Sequence, residues 1–210
     1  MKSNDLNWQV AGLITFASFM SATSLFFTGI LVSQFHSFDA TIKIPLLFLI
    51  ISTFSFVFAA SITIHAGGEI AHSRKAYVKK SLLYANNILE FLGLYLFIIA
   101  TPLVIGAITS DGFLRFATAG VALIGITLYS QSSFSILHKE MHSTLKKLIV
   151  TALIVLISIA LYLSQFLAQT SNLSLHSYIA VLLVLLLASM ATIFCIRSKH
   201  IIDQKSKTKK

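Results

Sequence analysis

The stretch IPLLFLIISTFSFVFAASITI, residues 44–64, carries no charged side chain over its whole length, and Arg74, Lys75, Lys79 and Lys80 follow it. An α-helix of ~20 apolar residues covers ~30 Å of hydrocarbon, and in lipid a helix satisfies every backbone polar group within its own segment. A membrane β-strand would alternate apolar and polar residues along its length. This stretch does not alternate, so it reads as a membrane-spanning helix.

Five further runs of the same kind cover residues 10–32, 82–108, 116–137, 148–167 and 178–196. Of the 210 residues 56% are hydrophobic and 11% charged, which leaves too little polar surface to cover a soluble globule of this size. The expected fold is therefore all-α, a polytopic membrane bundle of six transmembrane helices. One domain is expected over residues 1–200, with a basic tail at 201–210 that lacks fixed structure. The first run follows Met1 and Lys2 as a signal peptide would. Its uncharged segment from Asn7 to Phe35 far exceeds the ~7–15 residues of a signal-peptide core, so it counts as a span.

The cations set the orientation. Lys43 and Arg115 are the only two in the gaps after the first, third and fifth runs; the other 14 of the 16 lie at the amino terminus, after the second and fourth runs, or in the tail. Basic residues in short loops stay on the cytoplasmic side, so both termini are expected in the cytoplasm. The net charge of +9 is then a topology signal. No nucleic-acid partner is expected, since neither a folded basic surface nor an aromatic platform is visible. Lipid is the expected partner: the bilayer for the spans, and anionic headgroups for Lys205 to Lys210. Six short-looped spans enclose little volume, so a homo-oligomer or a larger membrane complex is also expected. The absence of organelle signals points to a bacterial or archaeal cell membrane.

Several chemistries have no footing. Cys195 is the only cysteine, which removes internal disulfides and cysteine-rich metal sites. The chain has no GxxxxGK[ST] phosphate loop, no GxSxG elbow and no HExxH pair, and no TVGYG-like filter. The balance is against an enzyme.

The helices differ in character. Runs five and six are dominated by Leu, Ile and Val and suit lipid contact. In the first, Ser18 and Ala22, Ser24 and Thr28, and Gly29 and Ser33 sit four apart; Ser55, Ala59 and Thr63 continue such a stripe in the second. Small residues at that spacing let backbones approach closely, so the first two helices should pair. Pro102 should kink the third run and release the Ile98 carbonyl. The fourth run ends in Tyr129, Ser130, Gln131, Ser132, Ser133 and Ser135, a cluster that is costly against lipid and should face protein or water.

Ionisable residues near the membrane are the site candidates. Glu90 sits within the third run with Asn86 four residues before it, on one helical face; the carboxylate lies either at the inner interface or one to two turns inside it. With Asn86, Ser130 and Gln131 it could line a polar inner vestibule. His65, Glu69 and His72 share a face if the second helix runs through Gly67-Gly68, and His138 and His142 are four apart at the end of the fourth run. Histidine with carboxylate binds zinc or iron, and the same residues could ligate haem. Against this, Gly67-Gly68 is a natural helix end, and a di-iron bundle needs a second Glu-x-x-His that is missing. The leading expectation is a channel or transporter-like protein for an ion or small solute, with no cofactor. A membrane enzyme or electron carrier using the five His/Glu positions for zinc, iron or haem is the alternative. An accessory or assembly subunit is the third.

Overall fold

The structure is a computed structural model that describes residues 3–38, 40–70, 75–131, 144–168 and 173–207; for residues 3–5, 75, 131, 144–147, 173 and 197–207 it describes the backbone alone. Among these residues it is helical, with no strand. Helix α1 covers Ser3–Ser33 and α2 covers Lys43–Gly68, joined by short 3-10 turns at Phe35–Ser37 and Ala40–Ile42. The next span has three parts: α3 (Lys75–Ile88), a π-helical segment (Leu89–Leu94) and α4 (Tyr95–Ile108). Then come α5 (Gly112–Gln131), α6 (Thr144–Ala168) and α7 (Leu173–Lys207).

Six stretches are long and apolar enough to cross a membrane: Leu6–Ser33, Ala40–Gly68, Ala76–Ile108, Gly112–Ser130, Leu148–Ala168 and Ser174–Ile196. They are compatible with a multi-pass integral membrane protein and match the six runs read from the sequence. The end of the fourth run, expected at Leu137, lies outside the described residues, whose helix in this span reaches Gln131. The seventh helix continues past its apolar part to Lys207, into the tail expected to lack fixed structure, because neither Gly nor Pro interrupts residues 173–207.

The third span is the hub. In its most apolar stretch 61% of residues are buried, against 17% in the first span and 11% in the fourth. Helices α2, α5, α6 and α7 all pack against it, while α1 packs chiefly on the outside of α2. The aliphatic fifth and sixth runs have only 33% and 28% of their apolar stretches buried, which suits lipid contact, and their remaining faces enter the core. Ile154 and Leu161 of α6, and Leu183 and Leu187 of α7, belong to the same core cluster as Tyr95, Ile99 and Leu103. In lipid an aliphatic side chain is as comfortable outside as inside, so Leu, Ile and Val content does not tell the two apart.

The pairing of α1 with α2 is present, and of the small and hydroxylated pairs expected there Ser24 makes the contact. Leu6, Val10, Ala17, Ser24 and Leu31 are buried, while Ser18, Ala22, Gly29 and Ser33 are exposed. From Val10 onward the buried positions repeat every seven residues, which is the seam of a left-handed helix pair. Ser24 donates its hydroxyl to the Leu49 carbonyl at 3.0 Å, and Thr53 donates to Ser24 Oγ at 2.9 Å. Val10 meets the other end of α2 beside Gly67, so the two helices are antiparallel. On α2, Ser55, Ala59 and Thr63 are buried as the sequence suggested.

Candidate functional site

The polar residue with the most distinctive setting is Glu90. Its side chain is 0% exposed and lies in the π-helical segment Leu89–Leu94. There the Tyr95 amide donates to the Glu90 carbonyl, a bond over five residues where an α-helix would bond over four. The wider turn changes which side chains share a face. In an α-helix Glu90 would stand over Gly93 and Leu94; here it is in register with Tyr95. Single π turns inside α-helices are rare and concentrate at functional sites.

The π segment is held from outside. Ser52 of α2 donates its hydroxyl to the Gly93 carbonyl at 3.0 Å. At Gly93 a Cβ would fall 2.5 Å from Phe56 Cε1, so only glycine lets α2 approach this closely. On the other side Phe91 stacks on Phe194 of α7 with ring centroids 5.4 Å apart and planes 7° apart.

Around the carboxyl group lie aromatic hydroxyls and an amide. The Glu90 carboxylate is within electrostatic reach of the Tyr95 and Tyr129 hydroxyls, and the two tyrosine rings meet edge to face at 5.8 Å. Tyr95 is itself 0% exposed, and its hydroxyl finds no hydrogen-bond partner among the described residues. Asn87, one turn before Glu90, is also 0% exposed. It donates Nδ2 to Cys195 Sγ at 3.7 Å, while its Oδ1 finds no partner among the described residues. A buried polar atom left unpaired costs ~1–3 kcal/mol. Two such atoms, on Asn87 and Tyr95, lie on the span that carries Glu90.

Depth follows from counting. Glu90 precedes Ile108 by 18 residues, about 27 Å of helix at about 1.5 Å per residue. That brings it close to the lysine-rich edge of a ~30 Å hydrocarbon slab. The surroundings are protein, since Glu90 is fully buried among the helices.

Of the vestibule residues, Ser130 is buried and tied down. It donates to the Thr127 carbonyl at 2.8 Å and accepts from Thr151 of α6 at 3.0 Å. Asn86 is half-buried, and the fully buried amide is its neighbour Asn87. The side chain of Gln131 lies outside the described residues. Among the histidines, His65 is exposed and its Nδ1 is 2.9 Å from the Ser61 carbonyl of its own helix. Helix α2 ends at Gly68, leaving Glu69 half-buried just beyond the end. His72, His138 and His142 lie outside the described residues. Among the described residues no three or more His, Cys, Asp or Glu side chains come together as a metal would require.

Sequence reasoning named no site residue at the opposite end of the bundle. There His176 of α7 is 0% exposed and its Nδ1 lies 2.8 Å from Ser164 Oγ of α6. Gln165, also buried, donates Nε2 to the Leu103 carbonyl at 2.7 Å and lies over Gly106. Arg115 donates Nε to the Thr109 carbonyl at 2.6 Å, and Asp111 Oδ1 caps α5 by accepting from the Leu114 amide at 3.0 Å. These polar residues stand singly among aliphatics, with no motif spacing to mark them. No known protein family, curated protein or solved structure matches this chain, so its function is argued from the geometry alone.

Proposed function

We propose that this chain is a membrane transporter that moves a proton or another small cation, with Glu90 as the group that carries it. The observation supporting this is the complete burial of Glu90 in the π-helical part of the most enclosed span. Ionisable side chains enclosed in a membrane bundle are costly and mark ion paths and proton relays. Glu90, Tyr95, Tyr129 and Asn87 supply oxygen ligands or proton-exchanging groups in one region. Basic loops stay inside, so this region would sit at the cytoplasmic mouth of the path.

Enclosure by protein favours a carrier over an open pore. An ion bound beside Glu90 would be occluded, and its release would need the packing of α2 or α7 against the π segment to loosen. A π turn has two alternatives of similar length, π and α. Conversion to α would move Tyr95 out of register with Glu90.

The test is ion flux into vesicles. Purified protein in liposomes loaded with a proton-, sodium- or potassium-sensitive dye should dissipate the matching ion gradient faster than empty liposomes. Glu90→Gln, which keeps the shape and removes the charge, should slow it at least tenfold. Equal flux by the two proteins would remove Glu90 from the mechanism, and no wild-type flux of any of the three ions would sink the reading.

A further inference from the structure

At the end of the bundle opposite the lysine-rich loops, a cleft of about 50 Å³ opens between α4, α5 and α6. One water occupies roughly 10–15 Å³ on this measure, so the cleft has room for three or four waters or for one tetrahedral oxyanion. Its floor is Gly106, over which the Gln165 amide lies. Arg115 and Tyr162 line it, and Phe116 and Phe166 form its rim.

Three features give this cleft a ligand class. The first is charge: Arg115 is one of only two cations in the gaps at this end, and a guanidinium matches phosphate oxygens better than any other side chain. Its Nε bond to the Thr109 carbonyl at 2.6 Å fixes the direction of the guanidinium. The second is an open valence. Tyr162 lines the cleft, and its buried hydroxyl finds no hydrogen-bond partner among the described residues. The third is access. Phe116 is 67% exposed and Phe166 54% exposed, and on a membrane-spanning bundle those faces meet lipid.

Depth agrees with this. Arg115 is three residues inside the start of α5, Gln165 three before the end of α6, and Gly106 two before the end of α4. Each is about 3–5 Å from its helix end at about 1.5 Å per residue, which is the level of lipid headgroups. A ligand entering from the side at that level would meet two aromatic walls and then a cation, a hydroxyl and an amide.

We infer that this cleft binds the phosphodiester of a phospholipid from the leaflet opposite the lysine-rich end. Arg115 and Tyr162 would donate to the phosphate oxygens, and Phe116 and Phe166 would flank the first segments of the acyl chains. The inference is independent of the transport reading, since it uses none of the residues around Glu90.

The test is lipid retention by native mass spectrometry on purified, delipidated protein titrated with phosphatidylglycerol. Wild type should keep one lipid at collision energies that strip the rest. Arg115→Gln should weaken its binding at least fivefold and Tyr162→Phe about twofold to threefold, both at unchanged thermal midpoint. Equal retention by wild type and both variants would overturn the site. Inorganic phosphate in the same titration separates the two sources of the group. Lipid retention unchanged by millimolar phosphate is expected; displacement of the lipid by phosphate would overturn the lipid assignment in favour of a free anion.

Discussion

Gly93 offers the sharpest prediction at the scale of one residue. A methyl group there would lie 2.5 Å from the buried Phe56 ring, and that ring is stiff and enclosed. Forcing an extra methyl into a packed core costs ~1–3 kcal/mol. Gly125, also in a helix, has nothing within 4 Å of the same position, so Gly125→Ala should be neutral or stabilise by ~0.5–1 kcal/mol through helix propensity. Thermal midpoints in detergent should fall for Gly93→Ala and hold or rise for Gly125→Ala. A similar response of both would mean that α2 does not approach the π segment as closely as described. Glu90 itself was legible in the sequence, because a carboxylate in an apolar run announces a cost that something must offset. Asn87 was not. An α-helical wheel puts Asn86 and Asn87, four and three residues before Glu90, both near its face, and only the packing of α7, whose Cys195 accepts from Asn87, shows that Asn87 is the buried one. The π turn at Leu89–Leu94 was hidden as well, since no sequence period signals an inserted residue of that kind.

At the scale of the helix, the first pair separates two stripes that look alike in sequence. Ala17 and Ser24 face α2, while Ala22 and Gly29 do not. Ala17→Leu should therefore overpack the pair and lower stability by ~1–3 kcal/mol, whereas Ala22→Leu should leave it unchanged. Ser24→Ala removes a hydroxyl bonded to both Leu49 and Thr53 and should cost ~0.6 and at most ~1.7 kcal/mol, the range for interhelical bonds in membranes. Denaturation by SDS from mixed micelles would measure all three, and an Ala22→Leu loss equal to that of Ala17→Leu would mean that the wrong face had been assigned. The sequence showed that α1 should pair, since it is rich in small and hydroxylated residues. It could not show which of two overlapping stripes makes the contact, because spacings of four and of seven residues both fit an amphipathic face. The site at the other end of α4 was hidden for a related reason. Arg115, Tyr162 and Gln165 come from two helices about 50 positions apart, and only the packing of α5 on α4 and α6 brings them to one cleft.

For the whole molecule, the six spans were fully legible, because length and apolarity are the same in sequence and in space. Their arrangement was not. Burial in a membrane protein is set by packing and polar contacts, so the hub had to be found from geometry; it is the span that carries Glu90, the π turn and Gly93 together. There a carboxylate at the depth of the lysine-rich edge is sealed by protein on every side. Thiol accessibility reads that enclosure. In a Cys195→Ser background, single cysteines would replace Ala76, Glu90 or Ser110 in reconstituted protein, and a membrane-impermeant maleimide would be added from each side in turn. The account predicts that position 76 labels from one side, position 110 from the other, and position 90 from neither. Rapid labelling of position 90 from the same side as position 76 would contradict it, because Glu90 would then be an ordinary wet interfacial residue.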